Sequence, residues 1–120
     1  MEIKIDKLDD FVLIRILKTK LDTILAPSLK SELVLLSGNN EKNILLDLSN
    51  CIYCDSSGLS AILVANRLCK NAEGALILSG LQPAVERLIS VSQLDTVLTI
   101  APTIDDGIEM MKKAISKKSD

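Results

Sequence analysis

The sequence predicts an α/β domain with a mixed, mostly parallel sheet of about five strands and four helices. Short apolar runs alternate along the chain with longer segments of helical periodicity, which is the pattern of strands joined by helical crossovers. The chain has 120 residues, of which 48% are apolar and 25% are charged. This length supplies one hydrophobic core and is too short for two, so we expect a single domain over residues 1–120.

The first half of the chain predicts two strands, a helix and a third strand. Apolar and charged side chains alternate over residues 3–5, and a nearly continuous apolar run follows at 11–17, with an acidic pair between them that suits a hairpin turn. Residues 26–36 place three leucines on one helical face. The short run NILLDL at 43–48 is typical of a buried strand.

The second half repeats the alternation of helix and strand. We predict a helix at 57–71, a strand at 75–79, a helix at 83–90, a strand at 97–100 and an amphipathic helix at 104–115. Helical connections between strands favour parallel pairing, whereas the hairpin at the start adds an antiparallel pair. The sheet is therefore predicted to be mixed.

Composition excludes several classes of function. A net charge of −2, a pI near 5.1 and only two aromatic residues argue against direct binding of nucleic acid. The chain has no histidine, which removes Ser-His-Asp and Cys-His catalysis and histidine-ligated zinc. We expect a binding protein that is not an enzyme and holds no metal or cofactor.

The sequence also predicts a cytoplasmic location. Its start lacks the basic and then apolar pattern of a signal peptide, and no apolar run approaches the ~20 residues needed to span a bilayer. Three cysteines do not form the dense, even-numbered framework of a disulfide-rich secreted domain. We expect no contact with a membrane.

The candidate site is the segment that follows the strand predicted at 43–48. Sites of open α/β folds gather at the carboxyl ends of strands. Asp55, Ser56, Ser57 and Gly58 are residue types that serve the free amide groups of a helix N-terminus. Two interpretations remain open: an ordinary helix cap, or a pair of serine hydroxyls placed to accept a phosphoryl group.

The helix after this segment carries a possible contact surface. At 100° per residue, its predicted buried face consists of Gly58, Ala61, Ile62, Ala65, Leu68, Cys69 and Ala72. Leu59, Leu63 and Val64 fall outside this face and flank the polar side. Partly exposed apolar residues beside a helix terminus suggest a protein contact, although a neighbouring loop could also cover them.

At this point the sequence resembles a known family. Asp55-Ser56-Ser57-Gly58-Leu59, with the apolar run and Asp47 before it, resembles the STAS domain of bacterial anti-sigma factor antagonists. The resemblance extends over the whole chain, including Leu21-Asp22 and the Pro-x-Val-x-Arg-Leu pattern at 83–88. Departures from the family pattern are Thr19-Lys20 before Leu21, Ser60 after Leu59, and Cys51 and Cys54.

The resemblance implies a function. Antagonists of this family bind an anti-sigma serine kinase, displace a sigma factor, and are phosphorylated by the kinase on the serine after the Asp; a serine phosphatase resets them. By position that serine is Ser56. Asp55, Ser57, Gly58 and Leu59 match the partner surface, and Asp22 matches a family position near it. With Leu63 from the helix face, these residues form the predicted partner-binding set.

Four alternatives compete with this interpretation. Cys51-Ile52-Tyr53-Cys54 has the C-x-x-C spacing of a redox motif, although the predicted helix cap comes after Cys54, so structural cysteines are favoured. A serine hydrolase lacks its histidine, and a nucleotide-binding loop lacks its glycine spacing. The fourth alternative lies within the family: a non-switching STAS scaffold, or a regulatory subunit of a larger complex such as a transporter.

Overall fold

A computed structural model describes the backbone of residues 2–119 and the side chains of residues 2–117. Its strands are β1 (Ile3–Lys7), β2 (Val12–Ile16), β3 (Lys20–Leu21), β4 (Asn43–Asp47), β5 (Tyr53–Cys54), β6 (Ala75–Ser79) and β7 (Thr99–Ala101). Its helices are α1 (Ala26–Gly38), α2 (Ser56–Asn71), α3 (Pro83–Val91) and α4 (Ile104–Ser119), and a 3-10 turn lies at Leu94–Thr96.

Five strands form the main sheet in the order β1-β2-β4-β6-β7. The β1–β2 pair is antiparallel and the other three pairs are parallel, because helices connect those strands. The predicted mixed sheet with four helices is confirmed. A second sheet, the parallel pair β3–β5, was not predicted, since each of its strands has only two residues.

The alternation of side chains along the strands divides the core between the two faces of the sheet. Ile14, Leu46 and Leu78 are paired neighbours on the face covered by α1, α2 and α3, where they are fully buried in the main core. Leu45 and Ile77 point to the opposite face and pack in a smaller core that includes Met111 of α4. Truncating one of the fully buried leucines to alanine should cost about 2–5 kcal/mol.

The predicted boundaries need correction at the last strand. It was predicted at 97–100 and lies at Thr99–Ala101. The 3-10 turn extends into the predicted range, since the amides of Val97 and Leu98 both donate to the carbonyl oxygen of Leu94. Backbone groups that close a turn cannot enter the ladder with β6 at the same time.

Helix α2 buries most of the predicted face, with two corrections. Gly58, Ala61, Ile62, Ala65 and Cys69 are buried, whereas Leu68, predicted on this face, is only half-buried. Ala72 is exposed because the helix ends at Asn71. Leu59 lies outside the buried face and is partly exposed, as expected, and its buried part packs against the main core.

The helices were also compared with what a membrane span requires. Within the part of the chain that the structure describes, no helix has both the length and the apolar character to cross a bilayer.

Candidate functional site

The site is assembled by the small β3–β5 ribbon. Lys20 pairs with Tyr53 and Leu21 pairs with Cys54. The amide of Asp55 then donates to the carbonyl oxygen of Leu21 at 3.3 Å, which extends the contact to the start of α2. The ribbon therefore joins two segments that are distant in sequence, and both continue into an aspartate at the same end, namely Asp22 and Asp55.

Asp55 is the N-cap of α2. Its backbone is extended, with φ −104° and ψ −173°, and its Oδ1 accepts a hydrogen bond from the amide of Gly58 at 3.0 Å. This bond satisfies one of the free amides of the first helical turn. The helix begins at Ser56, one residue earlier than predicted. The cap interpretation is confirmed for Asp55, and it leaves the serine hydroxyls free for another role.

Asp22 holds the turn that leads into α1. Its Oδ1 accepts hydrogen bonds from the amides of Ile24 at 3.1 Å and Leu25 at 3.3 Å, and its carbonyl oxygen accepts one from Ala26 at 2.8 Å. A carboxylate that bonds the backbone two and three residues onward stabilises a local turn. Half-buried Asp22 therefore shapes the segment beside Asp55.

The two candidate acceptors differ in accessibility. Ser56, the first residue of α2, is exposed, whereas Ser57 is half-buried. Among the residues that the structure describes, no side chain or backbone group hydrogen-bonds the Ser56 hydroxyl. The positive end of the helix dipole lies beneath it, where an added phosphate is favoured by about 0.3–1 kcal/mol. Ser56 is the more accessible of the two hydroxyls.

An apolar rim on the ribbon and the turn was missed by sequence reasoning. We use the name "apolar rim" for Ile24, Ile52 and Tyr53, which are 79%, 58% and 48% exposed. They belong to the Asp22 turn and to β5 with the residue before it. Ile24 precedes Leu25, and Ile52 and Tyr53 lie between Cys51 and Cys54, so no pattern in the sequence distinguished these side chains from buried ones. Leu63, on α2, is half-buried.

A buried polar cluster anchors the loop before the site. Asp47, at the end of β4, accepts hydrogen bonds from the hydroxyls of Ser79 at 3.0 Å and Ser49 at 2.8 Å. Gln82, the residue before α3, donates from its side chain to the carbonyl oxygen of Ser49 at 2.7 Å. Buried carboxylates require such donors. The cluster fixes where the loop leaves β4, and hence the approach to Asp55.

The cysteines lie in an environment opposite to that of a redox motif. Burial raises the pKa of Cys51 to about 11, with a smaller contribution from Asp47. Burial, Asp55 and Cys51, in that order, raise the pKa of Cys54 to about 12. Reactive cysteines instead have a lowered pKa, commonly at a helix N-terminus, and both of these residues precede the cap. Within residues 2–119, no group of His, Cys, Asp and Glu residues could hold a metal ion.

Fold and site define a small α/β domain that presents a capped helix terminus with an accessible serine. The family model described as the STAS domain matches residues 2–107. This chain therefore belongs to the STAS domain family.

Whole-length relatives share this arrangement of fold. BtrV of Bordetella bronchiseptica, named as an anti-sigma factor antagonist, is 26% identical over 117 residues, which cover 98% of this chain and 100% of BtrV. The Thermotoga maritima protein TM1081, also named as an anti-sigma factor antagonist, is 25% identical with a TM-score of 0.78, over 92% of this chain and 94% of its own.

A third structure is similar in fold alone. The phosphorylated form of SpoIIAA, a Bacillus cell fate determinant, is 19% identical with a TM-score of 0.69. The similarity covers 86% of this chain and 94% of SpoIIAA.

Proposed function

We propose that this chain is an anti-sigma factor antagonist controlled by phosphorylation of Ser56. In the unphosphorylated state it binds an anti-sigma serine kinase in the cytoplasm and releases a sigma factor. The observation that carries this proposal is the exposed Ser56 hydroxyl on the first residue of α2, directly after the capping carboxylate of Asp55. The names of two whole-length relatives and the phosphorylated form of SpoIIAA support it.

The chain takes part in phosphoryl transfer as a substrate and not as a catalyst. The Ser56 oxygen attacks the γ-phosphorus of ATP held by the kinase. A new O–P bond forms, the bond between the γ-phosphorus and the bridging oxygen breaks, ADP leaves, and the hydroxyl proton passes to a base on the kinase. A serine phosphatase then hydrolyses the ester with water and restores the hydroxyl.

Phosphate at Ser56 weakens kinase binding through charge and desolvation. It adds roughly −1.5 to −2 charges beside Asp55 and close to the apolar rim. When the surface is covered, that charge loses water without gaining a prepared cation. A penalty of about 3 kcal/mol weakens binding roughly a hundredfold. Because Ser56 is exposed, the switch requires no change of fold.

The predicted partner-binding residues divide into two roles. Ser57 and Leu63 are half-buried at the surface and are proposed to contact the kinase with the apolar rim. The other four are proposed to position the contact surface. Asp55 caps α2 and Asp22 stabilises the turn before α1. Gly58 is buried and Leu59 packs against the main core.

The test identifies the kinase and then the acceptor. Tagged Ser56→Ala and Ser56→Asp variants serve as baits in lysate of the native cells, and a serine kinase should be enriched with the alanine variant. The purified kinase, ATP and the unmodified chain are then incubated, and phosphopeptides are mapped by mass spectrometry. Phosphate should appear on Ser56.

Two other outcomes lead to different conclusions. Phosphate on Ser57 alone would move the acceptor by one residue. A stable partner complex in which the chain never receives phosphate would favour the non-switching scaffold instead.

A further inference from the structure

Strand β1 has one open edge. It pairs only with β2 in the part of the chain that the structure describes. The Leu17 amide donates to the carbonyl oxygen of Glu2 at 2.8 Å, which fixes the alternation of the antiparallel ladder. The backbone groups of even-numbered residues therefore face β2, and those of Ile3, Ile5 and Lys7 face outward. This edge presents three amides and three carbonyl groups to a further strand.

The two faces of the edge strand differ in chemistry. Ile3 and Ile5 are half-buried, pack against the main core, and line a groove beside α1. Lys4 and Asp6 lie on the other face, where the ammonium and carboxylate groups are 4.0 Å apart. The edge thus carries opposite charges two residues apart on one face, and on the other Ile3 and Ile5 followed by Lys7, whose ammonium group pairs with Glu41.

We propose that the open edge of β1 pairs with β1 of a second copy of this chain in antiparallel orientation centred on Ile5. In this register Ile5 lies opposite Ile5, and Ile3 lies opposite Lys7. All three outward-facing residues of each copy then exchange backbone hydrogen bonds. On the charged face, Lys4 of each copy lies opposite Asp6 of the other.

The charge pattern selects this register and occupant. A shift by two residues in one direction places Lys4 opposite Lys4, and the opposite shift places Asp6 opposite Asp6. Like charges directly opposite each other destabilise a strand pair, and opposite charges stabilise it. Charges on an edge strand oppose pairing with another chain unless that chain supplies the opposite charges. A second copy of the same strand is the occupant whose charges match.

The proposed interface and the switch use different residues. None of the residues from Ile3 to Lys7 belongs to the β3–β5 ribbon or to the start of α2. One strand per copy gives a small interface, so we expect association only at concentrations of about 0.1 mM or higher.

Sedimentation equilibrium of the full chain tests the proposal between about 10 μM and 1 mM, a range that brackets the expected association. The average mass should rise from 13.0 kDa toward twice that value. Lys4→Asp and Asp6→Lys should each raise the dimer dissociation constant about tenfold or more, because each places two like-charged pairs in the interface. The double variant Lys4→Asp/Asp6→Lys should associate as the unmodified chain does.

Mixing the two single variants is the most discriminating experiment. One then carries two aspartates and the other two lysines, so a mixed pair regains both opposite-charge contacts. The equimolar mixture should dimerise although each variant alone does not. Ile5→Pro serves as a second route: it removes an amide that faces the open edge and keeps the ladder with β2, so it should abolish association, and a thermal melt checks that the monomer still folds.

Three results would overturn the proposal. If the unmodified chain keeps a mass of 13.0 kDa at every concentration, β1 does not pair with a second copy, and a strand of another protein becomes the candidate for the open edge. Single variants that dimerise normally place the interface elsewhere. If the unmodified chain dimerises but the mixture of folded single variants stays monomeric, the interface also lies elsewhere.

Discussion

The carbonyl oxygen of Leu21 occupies the space into which a side chain at Gly58 would project. The sulfur of Cys54 would lie 2.7 Å from a Cβ atom added at residue 58. Leu21 and Cys54 are paired in the β3–β5 ribbon. The amide of Gly58 meanwhile donates to Asp55. The absence of a side chain at residue 58 therefore lets the start of α2 lie directly against the ribbon, and the position of Ser56 depends on that contact.

Gly58→Ala should destabilise the domain by about 1–3 kcal/mol, because backbone and not a flexible side chain blocks the added methyl group. Gly38→Ala is the matched control, since an added Cβ there meets nothing within 4 Å. The control should be neutral or stabilising by up to about 1 kcal/mol. Urea unfolding of both variants measures the difference. Equal free energies of unfolding would show that the contact with Leu21 is easily relieved.

Much of the fold followed from hydrophobic pattern. The strand predicted at 43–48 is observed at Asn43–Asp47, and the one predicted at 75–79 is observed at Ala75–Ser79. Both are central strands buried on two faces, so their apolar runs are nearly continuous. The cap at Asp55 was equally predictable, because its side-chain chemistry acts within three residues.

The parts that failed depend on contacts distant in sequence. Two-residue strands such as β3 have no periodicity, so the ribbon that joins the site was invisible in the sequence. The exposure of Ile24 and Ile52 follows from that ribbon. Leu68 was placed on the buried face by helical geometry alone, yet it is only half-buried. Burial of a helix is decided by its neighbours as well as its period.

Asp47→Ala should lower the free energy of unfolding by about 2–3 kcal/mol. Removing the carboxylate leaves the hydroxyl of fully buried Ser79 without its acceptor. Ser49→Ala is the control, because Ser49 is exposed and water can replace its bond; its cost should stay under about 1 kcal/mol. Chemical denaturation compares the two variants, and similar costs would argue that Asp47 is not held by the buried bond.

Ile52→Asp should weaken kinase binding by about tenfold or more without loss of stability, because Ile52 is exposed on the apolar rim and a charge there must be desolvated. Val34→Asp is the control: it is equally exposed, but lies about 12 Å along α1 from its first turn. Calorimetric titration with the kinase measures both affinities, and thermal melts check folding. If Val34→Asp lowers kinase affinity as much as Ile52→Asp does, the apolar rim is not part of the kinase contact.

The buried thiols should be unreactive near neutral pH. Burial raises the pKa of Cys69 from 9.0 to about 11, as it does for Cys51. At pH 8, two pKa units lower the thiolate fraction about a hundredfold, so Ellman's reagent should react that much more slowly with the native chain than with the unfolded chain. Comparable rates in both states would contradict the burial of these side chains.

The same pKa shifts predict a decline of stability in alkali. A group whose pKa is higher in the folded state stabilises that state below its unfolded pKa and loses this contribution as the pH rises. The free energy of unfolding should therefore fall between about pH 9 and pH 11, and the fall should be smaller in Cys51→Ala than in the unmodified chain. Urea titrations across this range measure it. An identical slope in the variant would assign the decline to other groups.

Ser56→Asp and Ser56→Ala should separate the effect of charge on binding from its effect on folding. Aspartate supplies about one negative charge at the positive end of the α2 dipole, so it should leave stability unchanged or raise it by up to about 1 kcal/mol. The same charge should weaken kinase binding about tenfold, because the contact must desolvate it beside Asp55. Alanine keeps the surface neutral and should bind as the unphosphorylated chain does.

Ser57→Ala controls for the neighbouring hydroxyl and should still accept phosphate on Ser56. Calorimetric titration gives the affinities, thermal melts give the stabilities, and mass spectrometry gives the acceptor. If the aspartate and alanine variants bind the kinase with equal affinity, negative charge at residue 56 is not what weakens binding.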